Sequence, residues 1–150
     1  MNIMELDDIL NLDRLQCTGE QARAGWYLDQ DAILDAIDEL GIKLQVRIRY
    51  MTGIYRYGTH YSHGSHHKIT LDQNRVAADA SNTLWHELAH CMQSENWANR
   101  TGKDIRYWHW EDYKQVDGEH GRRYKGNLYE IEANRIADAH ADFMLVAFGT

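Results

Sequence analysis

Two histidines four residues apart flank a glutamate in Thr83-Leu84-Trp85-His86-Glu87-Leu88-Ala89-His90. On a helix, His86 and His90 project from one face and can close on a single metal ion. Glu87, beside the first of them, can reach a water at the metal's open position. Imidazole ligands and a carboxylate base are what a zinc hydrolase needs, the ligands to hold Zn²⁺ and the base to take a proton from water. The surroundings read as a helix. Leu84, Leu88 and Cys91 continue the apolar spacing of a buried face, with Trp85, Ala89 and Met92 beside them. Ser81 or Asn82 is expected to cap its start.

Catalytic zinc sites usually combine three protein ligands with one open position. The third ligand is sought in Leu128-Tyr129-Glu130-Ile131-Glu132-Ala133-Asn134-Arg135-Ile136-Ala137-Asp138, which predicts a long amphipathic helix running to about Phe148. Two glutamates compete. Glu130 has Ala133, Asn134 and Ala137 at i+3, i+4 and i+7, small residues that let this helix approach the metal-bearing one. Asn134 is expected to hydrogen-bond a ligand imidazole. Glu132 has Arg135 and Ile136 in the equivalent places, a poorer fit, so the helix face favours Glu130. His86, His90 and Glu130 are the expected ligands of one Zn²⁺ per chain.

His86-Glu87-Leu88-Ala89-His90 followed by Glu130-x-x-Ala133-Asn134-x-x-Ala137 resembles the gluzincin metallopeptidases. The spelling Glu132-Ala133-Asn134-Arg135-Ile136-Ala137 is similar to the compact ImmA/IrrE-like metallopeptidases of bacteria and their mobile elements. The resemblance spans roughly residues 67–148. It implies a zincin-like fold, a glutamate from a second helix as third zinc ligand, and a strand before the metal helix lining the substrate cleft. The connection between the helices departs from the pattern in being polar and aromatic, and no helix-turn-helix segment accompanies it. A weaker resemblance to SprT-like proteases, whose third ligand is a histidine, leaves His109, His120 and His140 open.

The length of 150 residues suits one domain, 1–150, with a real core. A net charge of −7 argues against a nucleic-acid footprint, and the basic run Arg122, Arg123, Lys125 reads as a solvated loop. Cys17 and Cys91 make neither a disulfide framework nor a thiolate zinc site, and Cys91 reads as a small core residue. Neither a signal peptide nor a membrane span is apparent, so a cytoplasmic location is expected, with no membrane partner. Oligomeric state is not legible.

Along the chain, residues 2–15 predict a short amphipathic helix and 29–40 a clearer one ended by Gly41. Strict alternation in Ile42–Tyr50 predicts a strand with one buried face. Further strands are expected at Ile54–Tyr57 and Lys68–Asp72. The fold class is therefore α+β: a single zincin-like domain, its small antiparallel or mixed sheet packed on the metal helix and a C-terminal glutamate-bearing helix. The histidine-rich stretch 58–67 reads as a polar loop on the cleft rim, with a second metal as the sharper alternative. Residues 101–127 mix aromatic and polar types as a cleft wall would, and Tyr124 or His120 is a candidate donor to a reaction oxyanion.

The reading is a zinc metalloendopeptidase acting on a peptide or protein, with Glu87 as general base. One variant of it acts only on one folded partner. The alternative is a non-catalytic zincin-fold binding or regulatory protein, which has no need of a base at Glu87.

Overall fold

Asp29 and Gly41 bracket the first helix of the described chain, for ordinary capping reasons. The Asp29 side chain accepts a hydrogen bond from Ala32 N at 3.1 Å, and Gly41 adopts φ 70°, the left-handed conformation that ends helices. The computed structural model describes residues 13–54, 56–116 and 126–148. In chain order these form β1 (Leu15–Thr18), β2 (Trp26–Leu28), α1 (Gln30–Leu40), β3 (Gln45–Met51), β4 (Gly58–Ser62), β5 (His66–Asp72), α2 (Ala77–Thr101), α3 (Trp108–Glu111), α4 (Leu128–Ala139) and β6 (Val146–Phe148). Short 3₁₀ turns at Ile105–Tyr107 and Tyr113–Gln115 flank α3. The expected N-terminal helix lies almost wholly outside the described residues.

The molecule is an α+β domain with a mixed sheet in the order β1-β3-β5-β4. The pairs β1·β3 and β3·β5 are parallel, and β4 closes the edge antiparallel to β5. Alternation turns Leu15, Val46, Ile48, Ile69 and Leu71 inward, where they pack with Ile33 and Ile37 of α1 and Leu84 and Leu88 of α2. Arg47 and Arg49 point to the exposed face. A second, two-stranded antiparallel sheet joins β2 to β6.

Four expectations are corrected. The strand expected at Ile54–Tyr57 begins instead at Gly58, because the inward residues of β4 are Gly58, His60 and Ser62, which carry no apolar signal. The stretch 58–67 is accordingly a hairpin rather than a loop. Helix α2 starts at Ala77 with Val76 as its uncapped N-terminal residue, so Ser81 and Asn82 are interior. Ser81 instead accepts Leu145 N at 2.8 Å. The last helix stops at Ala139 rather than near Phe148. Leu145 and Val146 are fully buried, and β6 pairs with β2, so the final apolar run is strand. A short apolar run does not distinguish the two by itself.

His140 fixes that change of direction. Its ring stacks on Trp85 with centroids 4.0 Å apart, its Nδ1 bonds Ile136 O at 2.8 Å, and its Nε2 lies 3.0 Å from Glu39 Oε1. Asp35 of α1 and Asp142 of the following turn line the same groove. The Glu39 hydrogen bond raises the His140 pKa above the usual imidazole value, outweighing burial. A raised pKa stabilises the fold below the unfolded value, about 6.5, and that contribution is lost as pH rises through the folded value. His140→Ala is therefore expected to destabilise more at about pH 5.5 than at about pH 8.5, by on the order of 0.3–1 kcal/mol, because Glu39 is solvated. Urea unfolding at both pH values checks this, and a gap that widens at high pH overturns it.

Candidate metal centre

Helix α2 carries His86, Glu87 and His90 through the middle of the molecule, and all three are buried. Helix α4 lies across it. Ala133 and Ala137 are fully buried at the contact, and their small side chains allow the approach that brings Glu130 to the histidines. His86 Nε2 lies 3.2 Å from His90 Nε2 and 3.0 Å from Glu130 Oε2, and His90 Nε2 lies 2.8 Å from Glu130 Oε1. Ligand atoms about 2.0–2.1 Å from a tetrahedral zinc are roughly 3.3 Å apart. The observed distances, which use both carboxylate oxygens of Glu130, are shorter than this.

The supporting residues determine where protons sit. Gln93, one turn beyond His90, donates its amide N–H to Tyr129 O and to Glu132 Oε1, both at 2.9 Å. Both partners are acceptors, so Gln93 Oε1 must be the atom 2.7 Å from His90 Nδ1. His90 therefore donates from Nδ1, which leaves the lone pair of its neutral form on Nε2, facing His86 and Glu130. Tyr113 donates its hydroxyl to Glu130 Oε1 at 2.7 Å. Asn127 caps α4 by accepting from Tyr129 N and Glu130 N, and donates to Tyr113 O. The cap sets Glu130 in the first turn, where the helix dipole favours a carboxylate.

Burial and mutual pairing set the electrostatics of the group. Burial pushes the Glu130 carboxyl up, but His86, His90 and Tyr113 outweigh it and hold it far below the usual carboxylate range. Burial also pushes His90 down, yet Glu130, Glu87 and Gln93 raise it above the usual value. The pocket thus favours positive charge where the three ligand atoms meet. Glu130 Oε2 is buried, with His86 Nε2 3.0 Å away as its polar neighbour. The donor set fits zinc, which takes imidazole nitrogen and carboxylate oxygen. Burial raises the pKa of Glu87 despite the two histidines, the direction that makes a carboxylate a better base near neutral pH.

Compared with known proteins, the chain matches no family model, no curated protein and no solved structure. The site is therefore read from its own geometry. Glu132, the competing glutamate, is exposed and touches the group only through Gln93. Asn134 is also exposed, so the residue supporting the imidazole is Gln93 instead. At i+3 from His90, Gln93 was visible in the sequence, but helix spacing alone did not single it out. His109 stacks on Tyr113 at 5.1 Å and His140 packs on Trp85, so neither joins the ligand atoms. His120 and Tyr124 lie outside the described residues. Tyr113, one of many aromatics between 101 and 127, had no signal beyond its type. Gly58 lies over the Thr83–Glu87 turn of α2: a Cβ there would come 2.6 Å from Thr83 Cγ2 and 3.4 Å from Glu87 Cγ.

Two outcomes follow for metal binding and packing. In a chelator-competition titration, Gln93→Ala is expected to lower zinc affinity about 10–100-fold. Glu130→Ala should lower it further, and Glu132→Ala should leave it close to wild type. Equal losses for the two glutamate variants overturn the assignment. Gly58→Ala should cost about 1–3 kcal/mol in urea unfolding, because Thr83 or the strand must shift. An unchanged midpoint contradicts the close approach.

Proposed function

We propose that the chain is a zinc-dependent metallopeptidase, with the ion held by His86, His90 and Glu130. The observation that carries this reading is the convergence of those three side chains from two helices, with Glu87 buried beside them. Bound there, Zn²⁺ supplies Lewis acidity, which polarises a carbonyl and makes water a stronger acid.

The protein's own groups do the rest. Glu87 accepts a proton from the attacking water as the new C–O bond forms. It then delivers that proton to the amide nitrogen as the C–N bond breaks, so a carboxylate and an amine leave. Gln93 and Tyr113 hold His90 and Glu130 in orientation throughout. Strand β4 is one edge of the sheet and packs along α2 with Gly58 against Glu87. An extended peptide adding to that edge lies beside the base. The edge is β4, whereas β5, the strand just before the metal helix, is interior. No helix among the described residues is long and apolar enough to cross a membrane.

Glu87→Gln tests the reading, since a neutral amide of nearly the same volume cannot take the proton. It should retain zinc and fold while losing about 10²–10⁴ in hydrolysis rate. The measurement is cleavage of an unbiased peptide library and of candidate protein substrates at equal zinc content. Equal rates refute the role of Glu87, and zinc-loaded wild type that cleaves nothing rejects the hydrolase reading.

A further inference from the structure

We propose that His60, His67 and Cys91 hold a second zinc ion, separate from the His86–His90–Glu130 group. Hairpin register brings the two histidines together. Ser62 pairs with His67 and His60 with Ile69, so His60, Ser62 and His67 share the inner face of the β4–β5 hairpin. That face rests on α2, which supplies Cys91. His60 Nε2 and His67 Nδ1 are 3.1 Å apart. Ser62 Oγ is 3.1 Å from the second and 3.3 Å from the first. The His60–His67 spacing is close to the roughly 3.3 Å between nitrogen ligands of a tetrahedral zinc, and Ser62 Oγ is within hydrogen-bond reach of both rings. The imidazole nitrogens and Cys91 Sγ all lie within 4.8 Å of one another.

The surroundings present these atoms as ligands. His67 is fully buried, and its Nε2 lies 2.7 Å from Glu95 Oε2. Glu95 also accepts Lys43 N at 2.7 Å and Leu44 N at 3.2 Å, so it is held as an acceptor. His67 therefore carries its proton on Nε2, and the lone pair of the neutral ring faces His60 from Nδ1. A carboxylate behind a histidine whose other nitrogen faces a cluster of donors is the arrangement that orients a metal ligand. Ser94 Oγ, 3.2 Å from Ser62 Oγ, sets the hydroxyl beside the cluster, leaving it or a water for the fourth position. On binding, Cys91 releases its thiol proton to solvent and ligates as thiolate.

The thiolate separates this site from the first, which has no sulfur. The full chain, stripped of metal by chelation under reducing conditions, is titrated with Co²⁺ and watched for thiolate-to-cobalt charge-transfer absorption. Wild type should bind roughly two ions per chain, and one of them should produce the band, which excess Zn²⁺ removes. Cys91→Ala and His60→Ala should each abolish or strongly reduce the band while one ion remains bound. Cys17→Ser, the control for the other thiol, and Glu130→Ala should both keep it. Wild type with reduced thiols but no band at saturating cobalt overturns the proposal and leaves a His60–His67–Glu95 hydrogen-bonded chain. A band that survives in Cys91→Ala overturns it as well. Loss of the first ion with the band intact counts against the peptidase site alone.

Discussion

Four ionisable side chains, His86, Glu87, His90 and Glu130, are buried at one crossing of two helices, and the local structure is arranged around them. Burying a carboxylate is costly unless charge and hydrogen bonds compensate it. Glu130 receives Tyr113, stands at the N-terminus of α4, and faces two imidazoles. Two of these have support of their own: Asn127 ties Tyr113 to the helix start, and Gln93 ties His90 to α4. A dication at the shared point satisfies the same demand more fully than a proton does, because it engages all three ligand atoms together. Loss of an ion bound there would therefore loosen the α2–α4 contact before it disturbed the sheet, whose core is apolar.

What the sequence made legible is what helical and strand periodicity encode. The two histidines and Glu87 are spelled out at fixed spacing, and the small residues sharing its face favour Glu130 over Glu132. Ala133 and Ala137 are indeed the contact, with Glu130 inside and Glu132 outside. The helix from Asp29 to Gly41 and the alternating β3 followed from caps and pattern. The illegible parts were those decided by tertiary partners. Val76 begins α2 without a side-chain cap, since Val76 O accepts Ala80 N and packing carries the rest. The turn at His140 depends on Trp85 and Glu39, both distant in sequence. Strand β4 turns histidine and serine inward, and a search for alternating apolar residues passes over it.

That polar strand and the buried charges share one cause in the geometry of α2. At about 100° per residue, His86, His90 and Gln93 fall on one stripe and meet α4. Thr83, Glu87, Cys91 and Ser94 fall on a second, broader stripe toward the β4–β5 hairpin. Ser81, Leu84, Trp85 and Leu88 fall on a third, against the apolar core. A helix covered on three sides cannot be amphipathic in the ordinary sense. The polar residues on the covered stripes are interior, so each needs a specific partner, and the hairpin must supply polar or small residues opposite them. Gly58 opposite Glu87 leaves room for the base, and Ser62 opposite Ser94 meets a hydroxyl with a hydroxyl. The histidines of β4 and β5 complete the same stripe. The strand's unusual composition follows from the polar stripe of α2 that it covers.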